Sequence, residues 1–153
     1  MENKIFSQDL IIHSQEVKGV SYMINTEKSI DIDECDIKYK ILQHKENERD
    51  FKIKILLNLD NLKMIVEGHY EVNEEVEEKH RSKIIAFAGL SALIPFLRYS
   101  LLTVTSVTQE GGINLPLIDM QKLISDNTEG ENKEKIKKPV TKKKKVSKKS
   151  PKK

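Results

Sequence analysis

The chain has 153 residues, with 27 Lys and Arg against 24 Asp and Glu, enough for one domain and a tail. Its single cysteine, Cys35, excludes an intramolecular disulfide and suits a reducing, cytoplasmic setting. The net charge of +3 hides a split: residues 133–153 hold 12 Lys and one Glu, so an acidic body carries a basic tail.

The first residues, MENKIFSQDL, lack a basic start followed by an apolar run, so no secretory signal is expected. From there "QDLIIHSQEVKGVSYMIN" predicts two short strand pieces, Leu10–His13 and Val20–Ile24, with Gly19 as a bulge or bend between them. The run "NTEKSIDIDE" is a polar, acidic connection. In "CDIKYKIL", Ile37, Tyr39 and Ile41 alternate with Lys38 and Lys40, the period of a half-buried strand.

"FKIKILLNLDNLKMIVEGHY" is a hairpin. Asp60-Asn61 supplies a two-residue turn, because both residues tolerate positive φ. Folding about it matches Leu59 with Leu62, Leu57 with Met64, Ile55 with Val66, Ile53 with Gly68 and Phe51 with Tyr70. A slip of one residue would break every match, so the register is specified. The first half therefore predicts a four-stranded antiparallel meander with one buried face.

The period then changes. Glu74, Glu75, Glu77 and Glu78 suit the positive end of a helix starting after Asn73. One apolar stripe runs Leu90, Leu93/Ile94, Leu97, Leu101 and Val104; another runs Ile85, Ala88/Gly89, Ala92, Phe96 and Tyr99. Residues 84–97 carry no charge, fewer than the roughly 20 apolar residues a membrane span needs. Extending that run brings in Arg98 and several threonines, so the expectation is a buried helix and not a transmembrane one.

A helix apolar nearly all round is buried on more than one side. One four-stranded sheet covers one side, which leaves the other for a second copy of the chain. Pro95 breaks a helical hydrogen bond and predicts a kink. Gly111-Gly112 ends the helix, "INLPLI" is extended, and Asp119 caps a short helix carrying Met120, Leu123 and Ile124. The boundaries that follow are a domain over residues 1–126 and a disordered Lys-rich tail over 127–153.

"LIPFLR" (residues 93–98), a Ser/Thr-rich helix end, a glycine break and "INLPLIDMQKLI" (residues 113–124) resemble the C-terminal half of the SecB family of export chaperones. The match rests on Pro95, Phe96, Arg98, Leu115, Pro116 and Ile118. It departs at Leu117, where the family often has a second proline, and at Asp119 and Met120, where it has Asn and Phe. The element order over residues 10–124 also agrees.

The resemblance implies an α+β fold, a dimer of dimers with the long helices at the subunit contacts, and an ATP-independent holdase that passes non-native precursor polypeptides to the export machinery. The corresponding interface residues are Ala88, Gly89, Ala92, Pro95, Phe96, Arg98 and Tyr99, with Arg98 near a subunit boundary. Groove candidates are Leu10, Ile12, Tyr22 and Ile24 from the first strand pieces and Met120, Leu123 and Ile124 from the last helix. Each is also an ordinary core position. Met120 is the adaptable one, through its flexible thioether.

Family members dock an export motor ATPase through acidic residues on the sheet face. Here Asp31, Asp33, Glu34 and Asp36 match by charge, and a solvated loop is the plain alternative. The lysines of the tail suit a salt-sensitive anionic partner such as RNA, the ribosome or lipid, or serve only solubility. Two rival functions stay open: a ribosome- or RNA-associated protein acting through that tail, and a chaperone dedicated to one client such as an antitoxin.

Catalysis has no foothold. No phosphate-binding glycine loop is present, and the four histidines are scattered. Glu77 and His80 have the spacing of half a di-iron site without its other half. Cys35 lies among Asp33, Glu34 and Asp36, which disfavours a thiolate. The expectation is a non-enzyme without cofactor or metal.

Overall fold

The computed structural model describes residues 9–23, 32–108 and 111–127. Ile24, Asp31 and the tail from residue 128 lie outside them, as does the side chain of Glu34. The fold is α+β: a four-stranded antiparallel sheet, one long helix across it, and a short helix over 120–127.

The strands are β1 (Leu10–Tyr22), β2 (Asp36–Gln43), β3 (Asp50–Leu59) and β4 (Leu62–Val72). Their order is β1-β4-β3-β2. Strands β2 to β4 form the expected meander, and β1 lies beside β4 at the opposite edge from β2. The β3–β4 register carries all five pairs expected from the sequence, from Leu59↔Leu62 to Phe51↔Tyr70. The inward set, Phe51, Ile53, Ile55, Leu57, Met64, Val66 and Tyr70, is almost wholly buried.

The Asp60-Asn61 turn does not use positive φ, which among the described residues only Gly111 and Gly112 adopt. Side-chain matching across the strands fixes the register instead. The turn is also held from outside, where the Met23 N–H donates to the Asn61 carbonyl at 2.8 Å.

β1 is one continuous strand and not two pieces. The pairing shifts between Ile12 and Ser14 and again between Val17 and Gly19. Each shift inserts one residue, His13 and Lys18, and interrupts the period of two without ending the ladder. Gly19 does mark one of the two irregularities, as expected.

The long helix runs Glu78–Ser106 and starts later than its acidic run suggested. Asn73 caps a tight turn instead: its Oδ1 accepts from the Glu75 N–H and its carbonyl from the Val76 N–H. By length and composition the helix could cross a membrane, but its inner stripe is core. Leu90, Leu93, Leu97 and Leu101 are fully buried, each burial contributing about 1.5–3 kcal/mol. Pro95 sits inside this helix without ending it. The break from α geometry comes earlier, in a π-helical turn over Ile84–Ala88.

The helix also stops before the glycine pair, at Ser106. Hydroxyls in its last turns bond back to its own carbonyls: Thr105 Oγ1 to Leu101 O at 2.7 Å, and Ser106 Oγ to Thr103 O at 2.8 Å. Such bonds compete with helical propagation. Gly111 and Gly112 then turn the chain with φ of 71° and 93°. The fully buried Thr105 hydroxyl also accepts from the Ile113 N–H at 2.7 Å, which starts the extended segment on its way back along the helix. Asp119 caps the short helix as expected, its Oδ1 accepting from the Gln121 and Lys122 N–H groups.

One glycine lets the layers approach, and another makes room within the sheet. A Cβ on Gly89 would overlap Ile53, and one on Gly68 would overlap the Tyr70 ring. Gly68→Ala is therefore expected to cost about 1–3 kcal/mol, the usual penalty of overpacking. Urea denaturation checks it; a loss under about 0.5 kcal/mol would mean the ring is free to move.

Candidate functional site

An apolar groove of about 990 Å³ opens between the start of β1, the first turns of the long helix and the short helix. Leu10 and Ile12 line one wall, Ile84, Phe87 and Ala88 the other, and Ile124 the end. Asp9, Ser82 and Lys83 form its polar margin. Ile12 is 54 % exposed and Phe87 52 %, so both present apolar surface to solvent.

The π-helical turn over Ile84–Ala88 carries this wall. Ile85 goes into the core and Phe87 to the groove, because residues two apart on a helix do not share a face. Gln15 sets the spacing of the two walls. Its amide donates to the Tyr70 hydroxyl at 3.0 Å and to the Ala92 carbonyl at 2.9 Å, tying β1 to the helix. Burial pushes the Tyr70 phenol above its ordinary range, offset in part by the Gln15 hydrogen bond.

Of the residues expected at a groove, Leu10, Ile12 and Ile124 meet here. Tyr22 lies at the far end of β1, opposite Leu62, and packs on the core. Met120 and Leu123 are half-buried against the same core and do not line the groove. Ile24 is outside the described residues. The sequence reading missed Ile84 and Phe87. The signal for Phe87 was its place in neither apolar stripe, which leaves a large aromatic with no core position.

The expected interface residues divide. Gly89 is buried against Phe51 and Ile53 of its own sheet, while Ala88 and Ala92 line the groove. Pro95 and Tyr99 are exposed, Tyr99 by 69 %, and Phe96 is half-buried. Arg98 reaches within its own chain, its Nη2 donating to the Pro116 carbonyl at 2.7 Å. Of the acidic run, Asp33 is exposed in the short turn Ile32–Glu34, and Asp36 opens β2 with an ion pair to Lys38 at 3.4 Å.

Burial, and then the Asp36 carboxylate, push the Cys35 thiol above its ordinary range and disfavour a thiolate. Glu77 pairs with Lys79. Among the described residues no three His, Cys, Asp or Glu side chains are grouped to hold a metal.

No protein-family model and no curated protein matches the chain. Solved structures do. The SecB-like chaperone Rv1957 of Mycobacterium tuberculosis, in complex with a ChAD peptide from the HigA1 antitoxin, superposes with a TM-score of 0.52 at 12 % identity. The match covers 72 % of this chain and 91 % of that one. A protein of unknown function from Streptococcus agalactiae matches over 71 % of this chain and 98 % of its own, at 12 % identity and a TM-score of 0.38.

The Tyr70 shift predicts a pH dependence. The folded state holds the phenolic proton more tightly than the unfolded chain, so this stability is intact below about pH 10.0 and is lost as the pH rises beyond it. Thermal melts across that range should show a fall that Tyr70→Phe lacks. An equal fall in the variant would assign it elsewhere. With these observations in place, the chain has a SecB-like fold, divergent in sequence.

Proposed function

We propose that the protein is an ATP-independent holdase, which binds non-native polypeptide in the groove lined by Leu10, Ile12, Ile84, Phe87, Ala88 and Ile124. One observation carries the reading: a SecB-like fold leaves an apolar groove of about 990 Å³ with half-exposed Ile12 and Phe87 facing solvent. Apolar side chains of a client would each contribute roughly 1.5–3 kcal/mol there before ordering costs. Little in such contacts selects a sequence. The related fold of Rv1957 was solved with an antitoxin peptide, which supports polypeptide as the ligand class and keeps a dedicated client as the second reading.

The active form in this proposal is a homo-oligomer, a dimer of dimers. Val17, Val20 and Tyr99 support it, as apolar side chains on β1 and the long helix that the single chain leaves partly uncovered. Several grooves on one particle raise the hold on an unfolded chain through effective concentration. Delivery of clients to an export ATPase is part of the same proposal and rests on the sequence resemblance.

Suppression of aggregation of a chemically denatured model protein tests the groove. Wild-type protein should suppress it without ATP, and Phe87→Asp should lose most of the effect while keeping a native melting curve. Full activity in Phe87→Asp would move the site elsewhere.

Light scattering coupled to size exclusion tests the assembly. A multiple of the 17.7 kDa chain mass is expected. Tyr99→Glu should shift it toward smaller species, and a monodisperse monomer at micromolar concentration would remove the oligomer from the proposal.

A further inference from the structure

One end of the sheet face turned away from the helix holds more lysines than carboxylates, on a body that is otherwise acidic. Strand alternation brings Lys38, Lys40, Lys52 and Lys54 onto it from β2 and β3, and Lys18 reaches it from the β1 bulge. At its centre lies Glu67, 8 % exposed, with Lys52 Nζ at 3.5 Å, Lys54 Nζ at 3.7 Å and Lys18 Nζ at 3.9 Å. Glu16 also takes Lys18, and Asp36 takes Lys38. Lys40 has no carboxylate within 4 Å among the described residues, and the register sets it directly opposite Lys54.

Like charges directly opposed on a sheet are destabilising. Folding alone does not ask for this arrangement. At the other end of the same face charge is matched: Asp50 holds His69, Glu71 holds His13, and Arg49 bridges Glu71 and Glu74. The imbalance is thus confined to one end. Leu42, 52 % exposed, and the half-buried Leu56 and Ile65 lie between the lysines.

We infer that this face docks an acidic polypeptide segment with interspersed apolar residues. Carboxylates would take the place Glu67 fills for three lysines, beside Lys40 and Lys38, and apolar side chains would cover Leu42, Leu56 and Ile65. A nucleic acid fits less well. Arginine is absent from the lysine end, and the face's one ring besides His13 is His69, which Asp50 holds, so bases find no open stacking platform. This surface is separate from the groove and extends the holdase reading to a second partner.

The test is fluorescence anisotropy of the full-length protein with a labelled peptide of alternating Glu and Leu. Binding should weaken with salt. It should weaken about tenfold in Lys40→Glu/Lys52→Glu and by a smaller factor in Lys40→Gln/Lys52→Gln.

Lys40→Glu alone faces Lys54 with an opposite charge, so its melting temperature should hold or rise while its affinity falls. A purely structural role would not give that opposition. Phe87→Asp separates the two surfaces: a loss of peptide affinity there that the lysine variants do not share would place the peptide in the client groove and overturn the inference.

The inference is overturned if both double variants bind like wild type. It is overturned equally if replacing Lys142–Lys145 by Gln abolishes binding that the face variants retain, or if an oligouridylate of matched charge displaces the peptide at lower concentration than unlabelled peptide does.

Discussion

The long helix has more apolar circumference than one sheet can hide, and the rest of the structure follows from that. The sheet takes the stripe of Leu90, Leu93, Leu97 and Leu101 and buries it completely. It can do so because Gly89 removes a side chain where the helix comes closest to Ile53 and Phe51 of the sheet. Burial of that one stripe leaves Phe87 and Tyr99 outside the core. Exposed apolar surface of this kind is what a partner or a ligand would cover. The groove and the surface proposed for assembly are two consequences of one surplus.

The segments that carry the sequence resemblance are joined in space. Arg98 belongs to the first and Pro116 to the second, and the guanidinium donates to the proline carbonyl. Proline has no N–H of its own to give, so its carbonyl is the only backbone group there to tie down. A second tie, from the Ile113 N–H to Thr105, holds the start of the returning extended segment. Leu115 then reaches the core between the two ties and is buried. The charge of Arg98 thus finds a partner within its own chain. Arginine in this position closes the loop against the helix, and that closure helps set where the short helix brings Ile124.

Periodicity made the β3–β4 hairpin legible to the residue, because both strands alternate and their core sets coincide in one register only. It failed at β1, where His13 and Lys18 each add a residue and reverse the alternation. It failed at the helix start for a different reason. An acidic run beside an asparagine fits both a helix N-terminus and a tight turn, and tertiary packing decides between them. The π turn had no signature in the residues of that span. Half of the groove was legible, through Leu10, Ile12 and Ile124. Met120 and Leu123 share a helix face with Ile124, yet that face is wide enough to divide between core and groove. The lysine face was visible strand by strand, as "KYK" and "KIK". It became a patch only once the register set Lys40 against Lys54.

Strand β4 carries both surfaces, because successive residues point to opposite sides of a sheet. Glu67 faces outward and gathers three lysines. Its neighbour Gly68 faces inward and makes room for the Tyr70 ring. Tyr70 accepts from Gln15, and Gln15 also donates to Ala92 on the helix wall of the groove. A short stretch of one strand therefore positions the charge pattern outside and the groove spacing inside. The groove wall hangs on hydrogen bonds to buried, well-packed groups, which hold their geometry. Lys52 and Lys54 share the single carboxylate of Glu67, and Lys40 has none within 4 Å among the described residues, which leaves outward charge available. A partner bound to the lysines would therefore meet the same strand that sets the groove.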